Sequence, residues 1–237
     1  MTSISANLQA VGERIAEAAR AAGRDPGEVG LLAVSKTWPA EAVREAAAAG
    51  QRAFGENYVQ EGVAKADALA ALGLEWHFIG PLQSNKTRPV AQYFAWVHSV
   101  DRLKIAQRLA EQRDVHLPPL NVCIQVNVSG EGSKSGVAPA DLPALARAVA
   151  ALPRLRLRGL MCIPEPTGDA ALQRRRFAEL RRLRDDLAAD GLALDTLSMG
   201  MSHDIEAAVA EGATMVRVGT AIFGTRDRAR EAVVAGT

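Results

Sequence analysis

Eight short apolar runs, separated by stretches of helical length, constrain this chain more than any other feature. The runs fall at 29–36, 52–54, 75–80, 96–100, 121–128, 157–163, 196–199 and 215–219. Runs this short, rich in Val, Leu and Ile, are consistent with strands buried on both faces. The segments between them read as helices. One, 3–22, repeats Ile4, Leu8, Val11 and Ile15 at helical spacing and closes on Gly23. Others span 39–49 before Gly50, an alanine-rich stretch to about Leu72 before Gly73, 139–152 and 169–189. Glycine suits the position after a helix because it enters the left-handed region without a Cβ clash. Ser84 and Asp101 are expected helix caps. Alternation of this kind predicts a parallel sheet with helices outside it. Eight units predict a (β/α)8 TIM barrel with an extra N-terminal helix, residues 1–237 forming a single domain. A doubly wound open sheet is the alternative. No GxGxxG follows a run, so nothing supports a dinucleotide site.

Charge and composition narrow the partners. The chain carries 28 basic and 27 acidic residues, a net charge of +1, which provides no global field for nucleic acid or an anionic membrane. The arginines at 174–176, 181 and 182 are interleaved with Glu179, Asp185 and Asp186, and Phe177, Leu180, Leu183 and Leu187 form an apolar stripe on the same helix. That pattern predicts a solvated outer face. No apolar stretch is long enough to span a bilayer, and the first residues lack the basic and apolar blocks of a signal peptide. Cys123 and Cys162 both lie in apolar runs, as buried reduced thiols of a cytoplasmic protein would. Without CxxC, HExxH or a His/Cys cluster, no metal site is expected.

In a barrel of this kind the chemistry sits at the C-terminal ends of the strands. The first run drives through Leu31-Leu32-Ala33-Val34-Ser35 into Lys36 and stops at Trp38-Pro39. A lysine at the end of a buried strand needs a partner, a lowered pKa or a covalent role; otherwise it snorkels outward. Lys36 joins a ring of strand-end residues: Asn57, His77, Ser99, Asn127, Met161, Ser198 and Arg217. Desolvation and a nearby cation, for which Arg217 is the candidate, free a lysine lone pair for a Schiff base. The stretches 198–204 and 217–224 pass through small residues into helices. Taken singly, Ser202 reads as a helix cap and Gly219-Thr220 as a tight turn. Together, their backbone N–H groups and hydroxyls suit an anion, at the loops where barrels frequently hold phosphates. A lysine beside a phosphate site specifies an aldehyde-bearing phosphate ester, for which pyridoxal 5′-phosphate is the economical candidate.

Seven ordered motifs carry a family resemblance. They are Ala33-Val34-Ser35-Lys36, Phe54-Gly55-Glu56-Asn57-Tyr58, the stretch from Trp76-His77-Phe78-Ile79-Gly80 to Lys86, Ser133-Lys134-Ser135-Gly136, Gly159-Leu160-Met161, Ser198-Met199-Gly200-Met201-Ser202, and the stretch from Val216-Arg217-Val218-Gly219-Thr220 to Gly224. Over almost its whole length the chain resembles the pyridoxal phosphate homeostasis proteins, single-domain relatives of the fold-type III barrel of alanine racemase. The resemblance implies that Lys36 carries pyridoxal 5′-phosphate as a Schiff base. It places Arg217 against the pyridine nitrogen, which stays unprotonated because two cations repel, so the ring is a weaker electron sink. It implies that Ser202, Gly219 and Thr220, with backbone around Met201, hold the phosphate, and Ser198 belongs with them at the strand end. Asn57 would lie near the phenolic oxygen and His77 in the pocket wall; a hydrogen-bonded core histidine is the equal alternative for His77. Lys134 resembles a family lysine assigned to cofactor transfer, although a solvated loop lysine is the plainer reading. The chain departs from the family at Trp38, where a polar residue, often lysine, is common. It also lacks a terminal lysine cluster at 226–237. Neither departure supports a second lysine-based cofactor site.

The function so implied is that of a carrier or regulator. It would hold the cofactor, shield its aldehyde and release it to apo-enzymes by transient contact. Neither nucleic acid nor membrane is an expected partner, and a monomer is expected. An alanine-racemase-type enzyme is the alternative. It needs a second base, which alanine racemases take from a tyrosine on an added domain of a partner subunit. This chain ends after the eighth run and its helix, and its tyrosines are Tyr58 and Tyr93. A Schiff-base aldolase acting on a phosphorylated sugar is a third reading.

Overall fold

Eight parallel strands pair in sequence order, and the eighth pairs with the first to close a barrel. The computed structural model of the chain describes residues 3–130 and 135–225. The strands are β1 (Gly30–Val34), β2 (Ala53–Glu56), β3 (Glu75–Phe78), β4 (Trp96–Val100), β5 (Leu120–Gln125), β6 (Leu155–Met161), β7 (Thr196–Ser198) and β8 (Met215–Val218). Around them lie α1 (Ile4–Ala21), α2 (Ala40–Ala48), α3 (Val59–Ala68), α4 (Thr87–Tyr93), α5 (Leu103–Gln112), α6 (Leu142–Ala150), α7 (Ala170–Ala189), α8 (Ile205–Ala210) and α9 (Thr220–Phe223). This is the expected (β/α)8 barrel with an N-terminal helix. Lys134 and the tail 226–237, both singled out in the sequence, lie outside the described residues.

The core forms because each helix turns one apolar stripe to the sheet. On α7 that stripe is Phe177, Leu180, Leu183 and Leu187, all buried. Its arginines face outward in ion pairs: Arg174 and Arg181 with Glu211, Arg176 with Glu165, and Arg182 with Asp186. Helix α1 starts at Ser3, whose hydroxyl accepts from the Ala6 N–H, and buries Leu8, Val11 and Ile15. It also braces the loops after β7 and β8. Asn7 donates to the Ile222 carbonyl at 2.8 Å, and Arg14 donates to the Ser202 carbonyl at 2.7 Å.

Several boundaries differ from the sequence reading, each for a local reason. The alanine-rich helix stops at Ala68, and a 3-10 turn over Ala70–Leu72 carries the chain to Gly73 at φ 59°. Ser84 opens a 3-10 turn and accepts the Thr87 hydroxyl on its carbonyl; its side chain caps nothing. Asp101 also caps nothing. Extended Arg102 takes the capping position of α5, so Asp101 sits one residue too early and pairs with Arg102 instead. The fifth strand ends at Gln125, because Val126 makes a single bridge to Val137 before the chain turns away. Both cysteines are free and buried, and burial pushes each thiol up to about 12. Among the described residues no helix is long and apolar enough to cross a membrane, and no group of residues could hold a metal ion.

Candidate functional site

The turn that follows β1 is held from both sides. Its backbone closes with Trp38 N–H donating to the Ser35 carbonyl at 3.0 Å. Thr37 sits at φ 66°, a region that a β-branched residue rarely enters. Three charged residues hold it there. The Thr37 N–H donates to Glu61 Oε1 at 2.6 Å, and the Ser35 hydroxyl donates to Glu56 Oε1 at 2.6 Å. Lys65 Nζ donates to the Ser35 carbonyl at 2.7 Å, to Glu56 at 2.7 Å and to Glu61 at 2.6 Å. The residue between Ser35 and Thr37 is Lys36. It belongs to the turn and not to the strand, and it is partly exposed. The expectation of a lysine buried at a strand end is corrected accordingly: β1 stops at Val34, and the clamped turn carries Lys36 to the barrel rim. Trp38 stacks on Phe223 with ring centroids 5.9 Å apart, which ties the turn to α9.

Glu56 is fully buried, and burial pushes its carboxyl up to about 7 despite the Lys65 ammonium. In the folded protein it therefore holds its proton more tightly than in the unfolded chain. The stability this confers is fully present below about pH 4.5 and is lost as pH rises through about 7, a change of about 3 kcal/mol. Glu56→Gln keeps an acceptor for Ser35 and Lys65 and removes the titration. Relative to that variant, the wild type is expected to lose about 3 kcal/mol between pH 4.5 and pH 8, measured by denaturant melts at each pH. His77 and His98, held down by burial, contribute an opposite slope that cancels in the comparison. Parallel profiles would mean that the Glu56 carboxyl titrates in the folded protein as it does in the unfolded chain.

Beside Lys36, at the C-terminal ends of the strands, lies a cavity of about 240 Å3. Val34, Ile79 and Ile163 form its apolar walls, and Lys36, Arg217 and His203 bring basic groups to it. Ser202, Gly219 and Thr220, with Met201, line one side with hydroxyls and backbone. Gly200 turns the chain there at φ 94°, and the Met201 N–H donates to Asp204. Asn57 completes the lining; its Oδ1 is buried and has no hydrogen-bond partner. Gly80 is required behind it, since a Cβ at that position would lie 2.2 Å from the Asn57 carbonyl oxygen.

Arg217, the buried cation of this site, is 4% exposed. Its Nη1 donates to Ser198 Oγ and its Nη2 to the Cys162 carbonyl, each at 2.8 Å. Among the described residues no carboxylate pairs with it, and burial pulls its pKa down. Asp204 acts on it by charge without forming an ion pair, and a buried cation so placed favours an acceptor or an anion in the adjoining space.

Of the residues expected at the site, Lys36, Asn57, Met201, Ser202, Arg217, Gly219 and Thr220 converge on this cavity. His77 and Ser198 do not line it; for His77 this is the core-histidine alternative that the sequence left open. Both point into the barrel one layer below, where His77 bonds Glu75 and His98, and Ser198 supports Arg217. Four lining residues escaped the sequence reading: Val34, Ile79, Ile163 and His203. Two of them had a usable signal, since Val34 precedes Lys36 by two residues and His203 lies within the 198–204 stretch.

The chemistry of this lining is specific. One side offers hydroxyl and backbone donors, another an amine, and between them stand a guanidinium and an unpartnered amide oxygen. The family model for the N-terminal domain of alanine racemase matches residues 6–227. A pyridoxal phosphate homeostasis protein of Pseudomonas aeruginosa is 69% identical over 227 residues, covering 96% of this chain and 97% of that protein. One from Escherichia coli is 56% identical over 239 residues, covering 98% of this chain and all of its own length, 100%. The structure of PipY from Synechococcus elongatus, solved with PLP bound, superimposes with a TM-score of 0.82 at 42% identity, covering 94% of this chain and 100% of PipY. This chain therefore belongs to the alanine racemase N-terminal domain family and, within it, to the pyridoxal phosphate homeostasis proteins.

Proposed function

We propose that this chain binds pyridoxal 5′-phosphate on Lys36 and serves intracellular pyridoxal phosphate homeostasis, holding and releasing the cofactor as a carrier or regulator. The observation that carries this reading is the cavity itself. Lys36, Asn57, Arg217 and the Ser202, Gly219 and Thr220 donors share one small space with apolar walls. When bound, the cofactor supplies an aldehyde that the Lys36 amine attacks with loss of water, and a ring whose electron demand depends on protonation of its nitrogen.

The residues present fit such a group. Ser202 and Thr220 hydroxyls and the adjoining backbone would hold the phosphate. Val34 and Ile79 would pack on the ring and exclude water. Asn57 Oδ1, buried without a partner, would take a donor from the ring substituents. Arg217 would face the ring nitrogen and disfavour a proton there, because two adjacent cations repel.

The lack of a tyrosine in the cavity lining, where a second base would stand, favours a holding role over racemisation. So do the homeostasis proteins among the relatives. Neither tyrosine lines the cavity: Tyr58 precedes α3 without a side-chain capping bond, and Tyr93 ends α4 with 39% exposure. Within this reading the chain is a monomeric, single-domain, cytoplasmic barrel that meets apo-enzymes transiently.

The test is an absorption spectrum of the purified protein with added pyridoxal 5′-phosphate, before and after borohydride, followed by peptide mapping. A visible band that bleaches and leaves the label on Lys36 is the expected result. A protein that stays colourless and unlabelled overturns the cofactor assignment. Exchange of the α-proton of L-alanine in D2O that depends on Lys36 would move the reading to a racemase.

A further inference from the structure

Behind Arg217, hydrogen bonds run unbroken through the barrel interior to its opposite face. Ser198 Oγ accepts from Arg217 and lies 2.8 Å from His98 Nδ1. His98 Nε2 lies 2.9 Å from His77 Nδ1, and His77 Nε2 lies 2.8 Å from Glu75 Oε1. Ser198, His98 and His77 are fully buried. Glu75 opens β3 at the N-terminal mouth of the barrel, and its side chain is half exposed. Trp96 stacks on His77 at 5.3 Å, with the Arg158 guanidinium 4.7 Å from the Trp96 ring, so the lower part of the path is packed as well as bonded.

Both ends of this path have a fixed polarity. A guanidinium only donates, and an ionised carboxylate only accepts. Hydrogen bonds from His77 and Trp96 and the charge of Arg158 hold the Glu75 carboxyl below its usual value, so it is ionised at neutral pH. His77 must then carry its proton on Nε2 and accept at Nδ1. His98 must donate from its own Nε2 and accept at Nδ1. The Ser198 hydroxyl must donate to His98 and use a lone pair for Arg217. With neutral rings this is the one proton arrangement that satisfies every link. A second proton on His98 would set a cation near Arg217 in a dry interior, and burial and the Arg217 charge oppose it.

We propose that Glu75, His77, His98 and Ser198 form a one-way hydrogen-bond relay that positions Arg217 and fixes which of its N–H groups face the cavity. The relay explains why two histidines and a serine occupy the middle of a barrel whose interior is ordinarily filled by branched apolar side chains. It makes these four residues positioning residues for the binding site. The proposal rests on the cofactor reading only for what Arg217 faces, and its first test needs no cofactor.

In ligand-free protein labelled with 15N at histidine and arginine, NMR is expected to find the ring proton of both His77 and His98 on Nε2. Glu75→Gln places an amide there that accepts or donates, so the one-way constraint is lost and both rings populate the Nδ1–H form. Glu75 is half exposed, so the exchange leaves the fold intact. Ser198→Ala cuts the relay next to Arg217 and is expected to speed rotation of its guanidinium NH2 groups. With pyridoxal 5′-phosphate added, both variants are expected to bind it roughly tenfold more weakly, in keeping with the effect of outer-shell partners at metal sites. A proton on Nδ1 of either ring in the native protein overturns the relay. Arg217 signals that change in neither variant overturn its positioning role. Failure of the native protein to bind pyridoxal 5′-phosphate, with the NMR results as expected, sinks the cofactor reading and leaves the relay standing.

Discussion

Replacing Lys65 by methionine is expected to lower the unfolding free energy by about 3–5 kcal/mol at pH 8, the cost of leaving a buried carboxylate without its counter-ion. Lys65 and Glu56 are 5% and 0% exposed, so water cannot take over the role of the lost ammonium. The penalty carries a pH signature. At pH 5 Glu56 is already protonated in the wild type, because burial pushes its carboxyl up to about 7. Removing Lys65 then deprives only the more accessible Glu61 of its cation, and the difference between the two proteins shrinks. At pH 8 the variant must either hold an unpaired carboxylate or take up a proton against the solution, and both are unfavourable. Denaturant melts at the two pH values check this; equal losses at both would show that Lys65 acts by packing alone.

The same substitution reaches the candidate site. Lys65 is a second donor to the Ser35 carbonyl, beside the Trp38 N–H, and the cation that holds Glu61 toward the Thr37 N–H. Thr37 keeps its left-handed backbone at a cost of about 1–3 kcal/mol, which the surrounding bonds must offset. With the clamp weakened, the turn relaxes and Lys36 loses its fixed place at the cavity rim. Binding of pyridoxal 5′-phosphate is therefore expected to weaken in the Lys65→Met variant even at pH 5, where its stability lies closer to that of the wild type than at pH 8.

The sequence made the barrel legible because eight brief apolar runs of buried-strand character admit few arrangements. Seven site residues were legible because each lies at the end of a strand or just beyond one, where barrels build their sites. Depth along a strand was the quantity that pattern could not supply. Residues 75, 77 and 79 share one face of the third strand, since side chains alternate with a period of two. Glu75 meets solvent at the bottom, His77 sits in the middle layer, and Ile79 reaches the cavity. Alternation sorts inward from outward but not upper from lower. The Lys36 clamp was hidden for a different reason. Glu61 and Lys65 are four residues apart on one helix, which in sequence reads as a surface pair. Here they turn inward, because Glu56 at the end of β2 and the turn after β1 meet them there.

Lys36→Ala is expected to abolish the covalent adduct while leaving the fold almost untouched. The side chain is partly exposed, and the turn that carries it is held through the bonds of Ser35 and Thr37 to the Glu56, Glu61 and Lys65 clamp. A change of no more than about 1 kcal/mol in stability is expected, as for a substitution outside the packed core. Binding is a different matter. The phosphate donors and Arg217 remain, so pyridoxal 5′-phosphate still enters, but its affinity falls by about two orders of magnitude, or about 2.8 kcal/mol. Lys36→Arg separates the two contributions of the lysine. Its guanidinium keeps the positive charge and attracts the phosphate ester, yet never deprotonates and so cannot attack an aldehyde. It is expected to bind more tightly than the alanine variant and to form no visible band and no borohydride-fixed label. Lys65, Lys86, Lys104 and Lys134 are the other lysines of the chain. Lys65 cannot substitute, because its ammonium already donates to Ser35, Glu56 and Glu61 in the buried clamp. A stoichiometric label that persists in both Lys36 variants would place the anchor at one of the remaining three and remove Lys36 from the chemistry. Its absence from both, with intact melting curves, would mean that the cavity depends on one amine for its covalent hold and on the β7 and β8 loops for the rest.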